Sequence, residues 1–210
     1  MGHRRILAGL VVGLLLCGAA SAQLVISTFD TGDEGWQVVS TLGYIGPVSW
    51  SSAGGNPGGF IYASDPDTGA WGFAAPAKFL DDKSAIFGGA LVFDVATDVA
   101  DPGDGWVGIS GAGMEFVCGY APPESVYPDW YTRSIALDSS AGWYDPDTFE
   151  PATDGQLFLV LKSLDGLVIT GEFIAGPDQG ALDNVMLIPE PGSLVLLATG
   201  LAAYALTKRR

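Results

Sequence analysis

The chain has 210 residues and carries nine Lys and Arg against 24 Asp and Glu, which gives a formal net charge of −15. His3 is the only histidine, so the remainder of the chain excludes Ser-His-Asp and Cys-His catalysis and histidine-based zinc or iron sites. The strong negative charge repels nucleic acid and anionic lipid, which makes both poor partners for the main body of the chain.

The amino terminus has the three parts of a secretory signal. His3-Arg4-Arg5 is basic, residues 6–16 are apolar, and Ala20-Ser21-Ala22 supplies small residues before Gln23. This order predicts a signal peptide over residues 1–22, with a helical apolar segment and a cleavage site that depends on Ala20 and Ala22. We therefore expect export by the Sec machinery.

The two cysteines do not form a pair in the mature chain. Cys17 lies in the signal and offers a lipoprotein alternative, although Leu16 stands where a lipobox has Gly or Ala. Removal of the signal leaves Cys118 alone, so no internal disulfide is expected. Because Cys118 lies in an apolar stretch, it is predicted to be a small buried side chain.

The body from Gln23 to Ile188 has 166 residues, which suits one domain with a sizeable core. Its four basic residues face 23 acidic residues, so its net charge is near −19. Such a surface favours cations and solubility outside the cell. The four basic residues are Lys78, Lys83, Arg133 and Lys162.

Short apolar stretches separated by glycine and proline fill the body. In residues 90–95, Leu91, Phe93 and Val95 share one face, as alternation in a strand requires. Many short strands broken by turn residues predict an all-β sandwich or barrel. The predicted strands are residues 24–29, 36–40, 60–64, 90–95, 106–109, 114–118, 132–137, 167–173 and 182–188.

One segment has helical periodicity instead. Thr153 and Gln156 have the spacing of a capping box, and Gly166 provides an end. Between them we predict one short helix that packs on the end of a sheet. The apolar residues at i, i+3, i+4 and i+7 are Leu157, Val160, Leu161 and Leu164.

Several aromatic residues are candidates for sugar contact, because sugar sites use aromatic platforms edged by polar groups. They lie in loop-like, proline-rich sequence, whereas Trp36, Trp71 and Trp106 are expected in the core. The alternative is that all six tryptophans fill the core and the ends of the sandwich. The candidates for glycan contact are Trp130, Tyr131 and Trp143, with Tyr127 and Tyr144 beside them.

The carboxyl terminus combines a short proline box, an apolar run and a basic end. Pro189-Glu190-Pro191 precedes an apolar run of 13 residues, 194–206, and Lys208-Arg209-Arg210 follows. As a helix that run spans about 20 Å, less than the roughly 30 Å of a hydrocarbon core. The basic end would stay at the cytoplasmic face. This favours transient membrane insertion, with an ordinary single-pass anchor as the alternative.

This tail resembles the PEP-CTERM sorting signal of Gram-negative bacteria. The residues that carry the resemblance are Pro189, Glu190, Pro191, Lys208, Arg209 and Arg210, with the apolar run between them. The resemblance implies an exported protein that an exosortase recognises and cleaves in the membrane. It assigns residues 189–210 to a sorting signal and residues 23–188 to the exported domain.

Residues 71–93 resemble the laminin B domain, also called laminin domain IV type A. The pattern places an aromatic residue and Pro76 before Phe79-Leu80, then an acidic turn, Ser84 and Phe87-Gly88-Gly89 ahead of a strand. Later pieces extend the resemblance over most of residues 29–187. It implies a galactose-binding-like jelly-roll β-sandwich and an extracellular, non-catalytic module. Animal laminins embed this module among cysteine-rich repeats, so a laminin-like assembly role does not carry over.

The same resemblance implies a structural Ca²⁺ between the first strand and the closing Leu-Asp-Asn-Val motif. Asp30 and Asp183 are the candidate side chains, and backbone carbonyls would complete the six to eight oxygens that calcium takes. The alternative is that Asp183 and Asn184 only form hydrogen bonds with turn backbone.

Together these features predict an exported, non-enzymatic β-sandwich at the cell surface or in the extracellular matrix, with adhesion or polysaccharide contact as its role. One alternative is a secreted carbohydrate-active enzyme that uses a pair of carboxylates, since the body has 23 acidic residues. A second alternative is a structural envelope protein without a ligand.

Overall fold

The computed structural model describes residues 24–100 and 102–190. It consists of two six-stranded antiparallel sheets, so the predicted all-β jelly-roll sandwich is confirmed. The predicted signal helix and C-terminal helix lie outside the described residues. The strands are β1 (Val25–Ser27), β2 (Gln37–Ser40), β3 (Ile45–Pro47), β4 (Ser49–Gly55), β5 (Gly58–Ser64), β6 (Trp71–Ala74), β7 (Ala90–Thr97), β8 (Gly105–Gly111), β9 (Met114–Tyr120), β10 (Tyr131–Ala136), β11 (Leu164–Thr170) and β12 (Gln179–Ile188).

The two sheets are named here after their central strands. The β12 sheet has the order β10-β7-β12-β5-β4, with β1 also paired to β12. The β11 sheet has the order β3-β2-β6-β11-β8-β9. Every predicted strand overlaps an observed one, whereas β3, β4 and β6 were not predicted. Three short 3₁₀ turns lie in the connections, at Ala77–Phe79, Ser84–Ile86 and Ser139–Ala141.

The core lies between the sheets and contains large aromatic side chains. Trp36 and Trp71 are buried there, as predicted, and Cys118 is also buried. Burial raises the pKa of the Cys118 thiol, which disfavours the reactive thiolate. The prediction that Trp106 lies in the core is wrong. Its side chain is only half-buried and lines a groove of about 220 Å³ on the outer face of the β11 sheet.

The single helix, α1 (Asp154–Lys162), begins as predicted at a capping box. Gln156 N donates to Thr153 Oγ1 at 3.3 Å, and Thr153 N donates to Gln156 Oε1 at 3.0 Å. The predicted end was wrong, because Leu164 and Gly166 belong to β11. Leu164 exchanges backbone hydrogen bonds with Asp81. Its N–H and carbonyl groups are therefore not available for the hydrogen bonds of a longer helix. Among the described residues, no helix is long and apolar enough to cross a bilayer.

We expect Thr153→Ala to lower the free energy of unfolding by about 1 kcal/mol, because an N-cap hydroxyl satisfies a helix N–H that otherwise lacks a partner. Urea denaturation would measure the change. Thr68→Ala is the matched control, since Thr68 is exposed and its hydroxyl makes no hydrogen bond to the described residues. Equal stability of the two variants would contradict the role of the cap.

Candidate binding cleft and carboxylate cluster

A glycine-rich hairpin connects β4 to β5 and packs tightly on neighbouring strands. A Cβ at Gly59 would overlap the carbonyl oxygen of Phe29, and one at Gly55 would lie 2.5 Å from Asp183 Oδ2. Gly58 has a φ of +97°, which L side chains rarely adopt. Glycine is therefore required at these positions, and the hairpin rests directly on β12.

Asp183 is the buried centre of this contact. It is 0% exposed, and its two carboxylate oxygens accept backbone hydrogen bonds from Asn56 N at 2.6 Å and Asn184 N at 2.7 Å. The pairing of β12 with β7 shifts register after Asp183, and Asn184 has a φ of +48°. The bulge turns the Asn184 N–H towards the carboxylate, as the turn-backbone alternative predicted.

A second carboxylate, Asp94 on β7, lies opposite Asp183 in the strand register. It accepts hydrogen bonds from Thr132 Oγ1 at 2.5 Å, Asn184 Nδ2 at 2.9 Å and Asn56 Nδ2 at 3.2 Å. The sequence pattern did not identify it as a site residue, although it lies opposite the Leu91 face of the predicted strand. We call Asp30, Asp94 and Asp183 the carboxylate cluster.

The structure brings the two predicted calcium ligands, Asp30 and Asp183, to the same hairpin. Asp30 is exposed and approaches Gly58, where a Cβ would overlap its Oδ1. Among residues 24–100 and 102–190, however, no group of three or more His, Cys, Asp or Glu side chains could hold a metal ion by itself. A cation here would therefore need oxygens from carbonyls or from the carboxamides of Asn56 and Asn184.

Burial raises the pKa of Asp183 to about 6, and the negative charges of Asp94 and Asp30 contribute in the same direction. The hydrogen bonds from Asn56 N and Asn184 N oppose this rise. In the part of the chain that the structure describes, the only ion pair joins Lys78 to Glu34, so no basic side chain neutralises Asp183. The site thus holds a buried negative charge at neutral pH.

An aromatic cleft of about 470 Å³ opens on the outer face of the β12 sheet. Its rings come from Phe60 and Tyr62 on β5 and Tyr127 in the β9–β10 connection, with Trp130 beside them. Phe60 stacks on Tyr127 with ring centroids 5.8 Å apart, and Trp130 meets Phe60 edge-on at 5.4 Å. The lining residues are Ser51, Phe60, Tyr62, Ala96, Thr97, Asp98, Val126, Tyr127, Gln179 and Ala181.

The cleft and the carboxylate cluster are joined by the hairpin. Trp130 Nε1 donates to the carbonyl oxygen of Gly54 at 2.9 Å, while Asn56 of the same hairpin is bound by Asp183. The hairpin therefore links the position of the Trp130 ring to the buried carboxylate.

Polar groups form one edge of the cleft. Asp98 Oδ1 accepts from Gln179 N at 2.8 Å, and Gln179 Nε2 donates to Ser64 Oγ at 3.3 Å. Thr97 Oγ1 donates to the Gln179 carbonyl oxygen at 3.3 Å. These bonds hold the edge in place while the second carboxylate oxygen of Asp98 is available as an acceptor.

The predicted glycan residues separate in the structure. Trp130 lies at the cleft, whereas Tyr131 points the other way, packs on the main core and shares a 2.8 Å hydrogen bond between its hydroxyl and Ser125 Oγ. Trp143 is 1% exposed and donates from Nε1 to the Ala136 carbonyl oxygen at 2.8 Å. The prediction of sugar contact by Trp143 is therefore wrong, because its ring is enclosed in the core.

Sequence reasoning placed Tyr127 among the candidates but missed Phe60 and Tyr62. The available signal was the alternation in β5, which puts Phe60 and Tyr62 on the face opposite Ile61 and Ala63. Two aromatic side chains on the outer face of one strand indicate a surface that another group covers.

Comparisons with known proteins place these features in a family context. The Laminin B (Domain IV) family matches residues 72–188, and the PEP-CTERM protein-sorting motif matches residues 187–210. Laminin subunit gamma-2 of Equus caballus is 29% identical over 180 residues. The match covers 81% of this chain but only 14% of that subunit.

Two solved structures share the fold. The L4b domain of human laminin alpha-2 has a TM-score of 0.62 at 13% identity, covering 80% of this chain and 99% of that domain. The family 11 carbohydrate-binding module of the cellulosomal cellulase Lic26A-Cel5E of Clostridium thermocellum has a TM-score of 0.54 at 18% identity. That match covers 81% of this chain and 97% of the module. At these identities the likeness is one of fold.

The raised pKa of Asp183 predicts a specific pH dependence of stability. Its folded pKa of about 6 lies above the ordinary value of 3.8. The stabilisation from protonated Asp183 is therefore complete below pH 3.8 and is lost as pH rises through 6. Without divalent cations, wild type should gain about 2 kcal/mol of unfolding free energy relative to Asp183→Asn as pH falls from 7 to 4.

Denaturant unfolding at several pH values would measure this difference. Asp178 and Glu172 also have raised pKa values, so the comparison with Asp183→Asn isolates one carboxylate. Asp147→Asn, at an exposed loop position, is the matched control and should follow wild type. Parallel pH profiles for wild type and Asp183→Asn would show that Asp183 does not titrate as described.

Proposed function

Because the chain belongs to the laminin B (domain IV) family and carries a PEP-CTERM protein-sorting motif, we propose that it is an exported, non-enzymatic domain that holds polysaccharide at the bacterial surface. The observation that carries this proposal is the aromatic cleft. Tyr62, Tyr127 and Trp130 gather around the buried Phe60 on the outer face of the β12 sheet, beside a polar edge.

The cleft has the chemistry that a sugar chain needs. Pyranose rings present apolar C–H faces and polar hydroxyl edges, so they suit an aromatic surface flanked by hydrogen-bonding groups. Tyr127 is 42% exposed and offers such a surface. Asp98 and Gln179 lie at the opposite edge, where they can accept hydrogen bonds from sugar hydroxyls. Each contact is weak, and affinity comes from several along one chain.

We also propose that Ca²⁺ binds at the carboxylate cluster and stiffens the hairpin beside the cleft. Asp30 and Asp183 would supply carboxylate oxygens, and rotation of the Asn56 and Asn184 carboxamides would supply further oxygens. The uncompensated charge of Asp183 supports this proposal, because a cation would remove the cost of burying it. The hydrogen bond from Trp130 to Gly54 would carry the added rigidity to the cleft.

The alternative of a carboxylate-pair enzyme has less support. The carboxylates that meet in register, Asp94 and Asp183, are both buried and accept hydrogen bonds at each of their oxygens. Neither faces the cleft as a free acid or base. Asp98 is the carboxylate that lines the cleft, and a glycosidase of the usual kind needs two.

The sorting motif supports a proposal for where the protein acts. We propose that an exosortase processes the chain near Pro189, Glu190 and Pro191 after Sec-dependent export in a Gram-negative bacterium. Pro191 and the basic residues Lys208, Arg209 and Arg210 lie outside the described residues, as does the signal cleavage site at Ala20 and Ala22. The domain then acts at the cell surface or in the extracellular matrix.

We expect Tyr127→Ala and Trp130→Ala each to weaken polysaccharide binding by about tenfold, because each removes a ring worth about 1–2 kcal/mol of contact. Affinity electrophoresis against a panel of neutral polysaccharides would measure the loss. Phe149→Ala is the matched control, because Phe149 is 74% exposed and stacks on Tyr144 outside the cleft. If wild type released sugar products, the result would favour the carboxylate-pair enzyme. If wild type bound none of the polysaccharides, the result would contradict the proposed binding function.

Calcium at pH 7.5 should raise the melting temperature of wild type by several degrees, since saturation about 100-fold above Kd adds about 2.7 kcal/mol. Asp183→Asn should abolish the shift. Asp178→Asn is the matched control, because Asp178 is also buried and bonded to Trp71 Nε1 and Phe173 N. If wild type melts at the same temperature with and without calcium, the calcium proposal is wrong.

A further inference from the structure

Helix α1 exposes apolar side chains at one end of the sandwich. Phe158 and Leu159 are 40% and 50% exposed, while Leu157, Val160 and Leu161 of the same helix are buried. The helix thus presents apolar residues to the core and also to solvent. Exposure alone does not distinguish this surface, because Leu42 and Ile45 are 67% and 68% exposed, so its position in the fold must decide.

This surface lies where β12 leaves the sandwich. The ring of Phe158 meets Phe87 edge-on with centroids 5.8 Å apart. At the next residue, Gly88, a Cβ would lie 3.6 Å from Glu190 Oε2. We call Phe87, Phe158 and Leu159 the exit patch, because they lie beside the last described residue of the chain.

The chain beyond Glu190 is too short to separate the exit patch from the apolar C-terminal run. That run begins at Leu194, four residues after Glu190. Four residues span at most about 14 Å when fully extended. Pro189 is itself buried against the sandwich, so no slack is available before Glu190. Wherever the apolar run enters a bilayer, the exit patch must lie close to the bilayer surface.

Charge at this end is mixed, because the exposed carboxylates of Asp82, Asp154 and Glu190 lie there together with two lysines. Hydrogen bonds from Ser84 lower the pKa of Asp82, and the positive charges of Lys162 and Lys83 lower it further. Two of the four basic residues of the body therefore lie beside α1. The carboxylates disfavour anionic lipid, so the contact would depend on the apolar side chains and on lipid headgroups without net charge.

We propose that the exit patch rests on the bilayer surface while the C-terminal run is inserted in the membrane. This inference rests on the proposed export and sorting of the chain. The α1 end of the domain then contacts the membrane. Ile188, at the end of β12, lies near the membrane, and Gln179, at its start, lies far from it. Nine residue steps separate Ile188 from Gln179, about 30 Å at 3.3 Å each. Gln179, at the edge of the aromatic cleft, thus lies at the end of β12 that is far from the lipid.

Position-specific quenching tests the contact in the chain from Gln23 to Arg210, the form expected after removal of the signal and before C-terminal processing. Gly155 is exposed, and a side chain added there would have no atom within 4 Å of its Cβ. It lies three residues before Phe158 and four before Leu159, on the same face of the helix. A fluorophore on Gly155→Cys, with Cys118 changed to Ala, reports on the exit patch without removing it. We expect iodide quenching to fall at least about threefold when phosphatidylcholine vesicles are added.

Ile45→Cys provides the matched control. Ile45 is an exposed apolar residue at the other end of the β11 sheet, where its strand pairs through Val39 and Gly72 to Thr170. Leu164, which follows α1, and Thr170 mark opposite ends of β11, about 20 Å apart. Quenching at position 45 should be the same with and without vesicles.

A Phe158→Ser, Leu159→Ser pair of changes separates patch contact from tethering. With the label at position 155, we expect these changes to restore most of the quenching although the apolar run stays in the vesicles. Protection that persists would show that the tether alone places the helix, and would overturn the proposal. Protection without vesicles that rises with protein concentration would assign the patch to a second copy and overturn it too.

Failure of the wider proposal gives a different result. Carbonate extraction of the vesicles reports whether the C-terminal run is inserted. An inserted chain with unprotected position 155 overturns only the patch contact. A chain that is not retained by the vesicles overturns both the contact and the membrane stage of sorting on which it rests.

Discussion

The buried carboxylate of Asp183 connects the parts of the molecule that matter for binding. Its two oxygens hold Asn56 N of the β4–β5 hairpin and Asn184 N of the β12 bulge. The hairpin in turn accepts the hydrogen bond from Trp130 at Gly54. Burying one charge is costly, but it fixes a glycine-rich segment that would otherwise have high conformational freedom. The aromatic cleft depends on that fixed segment.

Strand β12 runs from the edge of the aromatic cleft towards the end of the described chain. It is central in its sheet, pairing with β7 over most of its length and with β5 and β1 at opposite ends. Gln179 at its start forms part of the cleft edge, and Ile188 at its end precedes the buried Pro189. The laminin B match ends at residue 188 and the sorting-motif match begins at residue 187. The sorting-motif match therefore begins within β12, the last described strand of the domain.

The sequence predicts most strands but only part of the site, for identifiable physical reasons. Alternation reveals β7 because Leu91, Phe93 and Val95 all face the core. It does not reveal β4, which consists mostly of Ser, Ala and Gly and is a strand only through pairing with β5. Asp94 meets Asn184 across about 90 residues of sequence, so only the strand register brings them together. Trp130 and Trp143 both lie in proline-rich sequence, so the sequence does not distinguish them. Only the structure shows that Trp143 is buried in the core while Trp130 lies at the cleft.

If the cleft holds polysaccharide, as proposed, the charges around it restrict the class of sugar. None of its lining residues is basic, and Asp98 contributes a negative charge at its edge. Arg133 is already bound to the carbonyl oxygens of Ala121 and Pro122. A uronic acid or sulfated sugar would thus enter a desolvated site without a cationic partner, next to a body of net charge near −19. Screening at physiological salt acts beyond about 8 Å and does not relieve such direct contacts. Uncharged sugars, whose hydroxyls donate to carboxylate and carbonyl oxygens, avoid this cost, so the proposed function favours them as ligands.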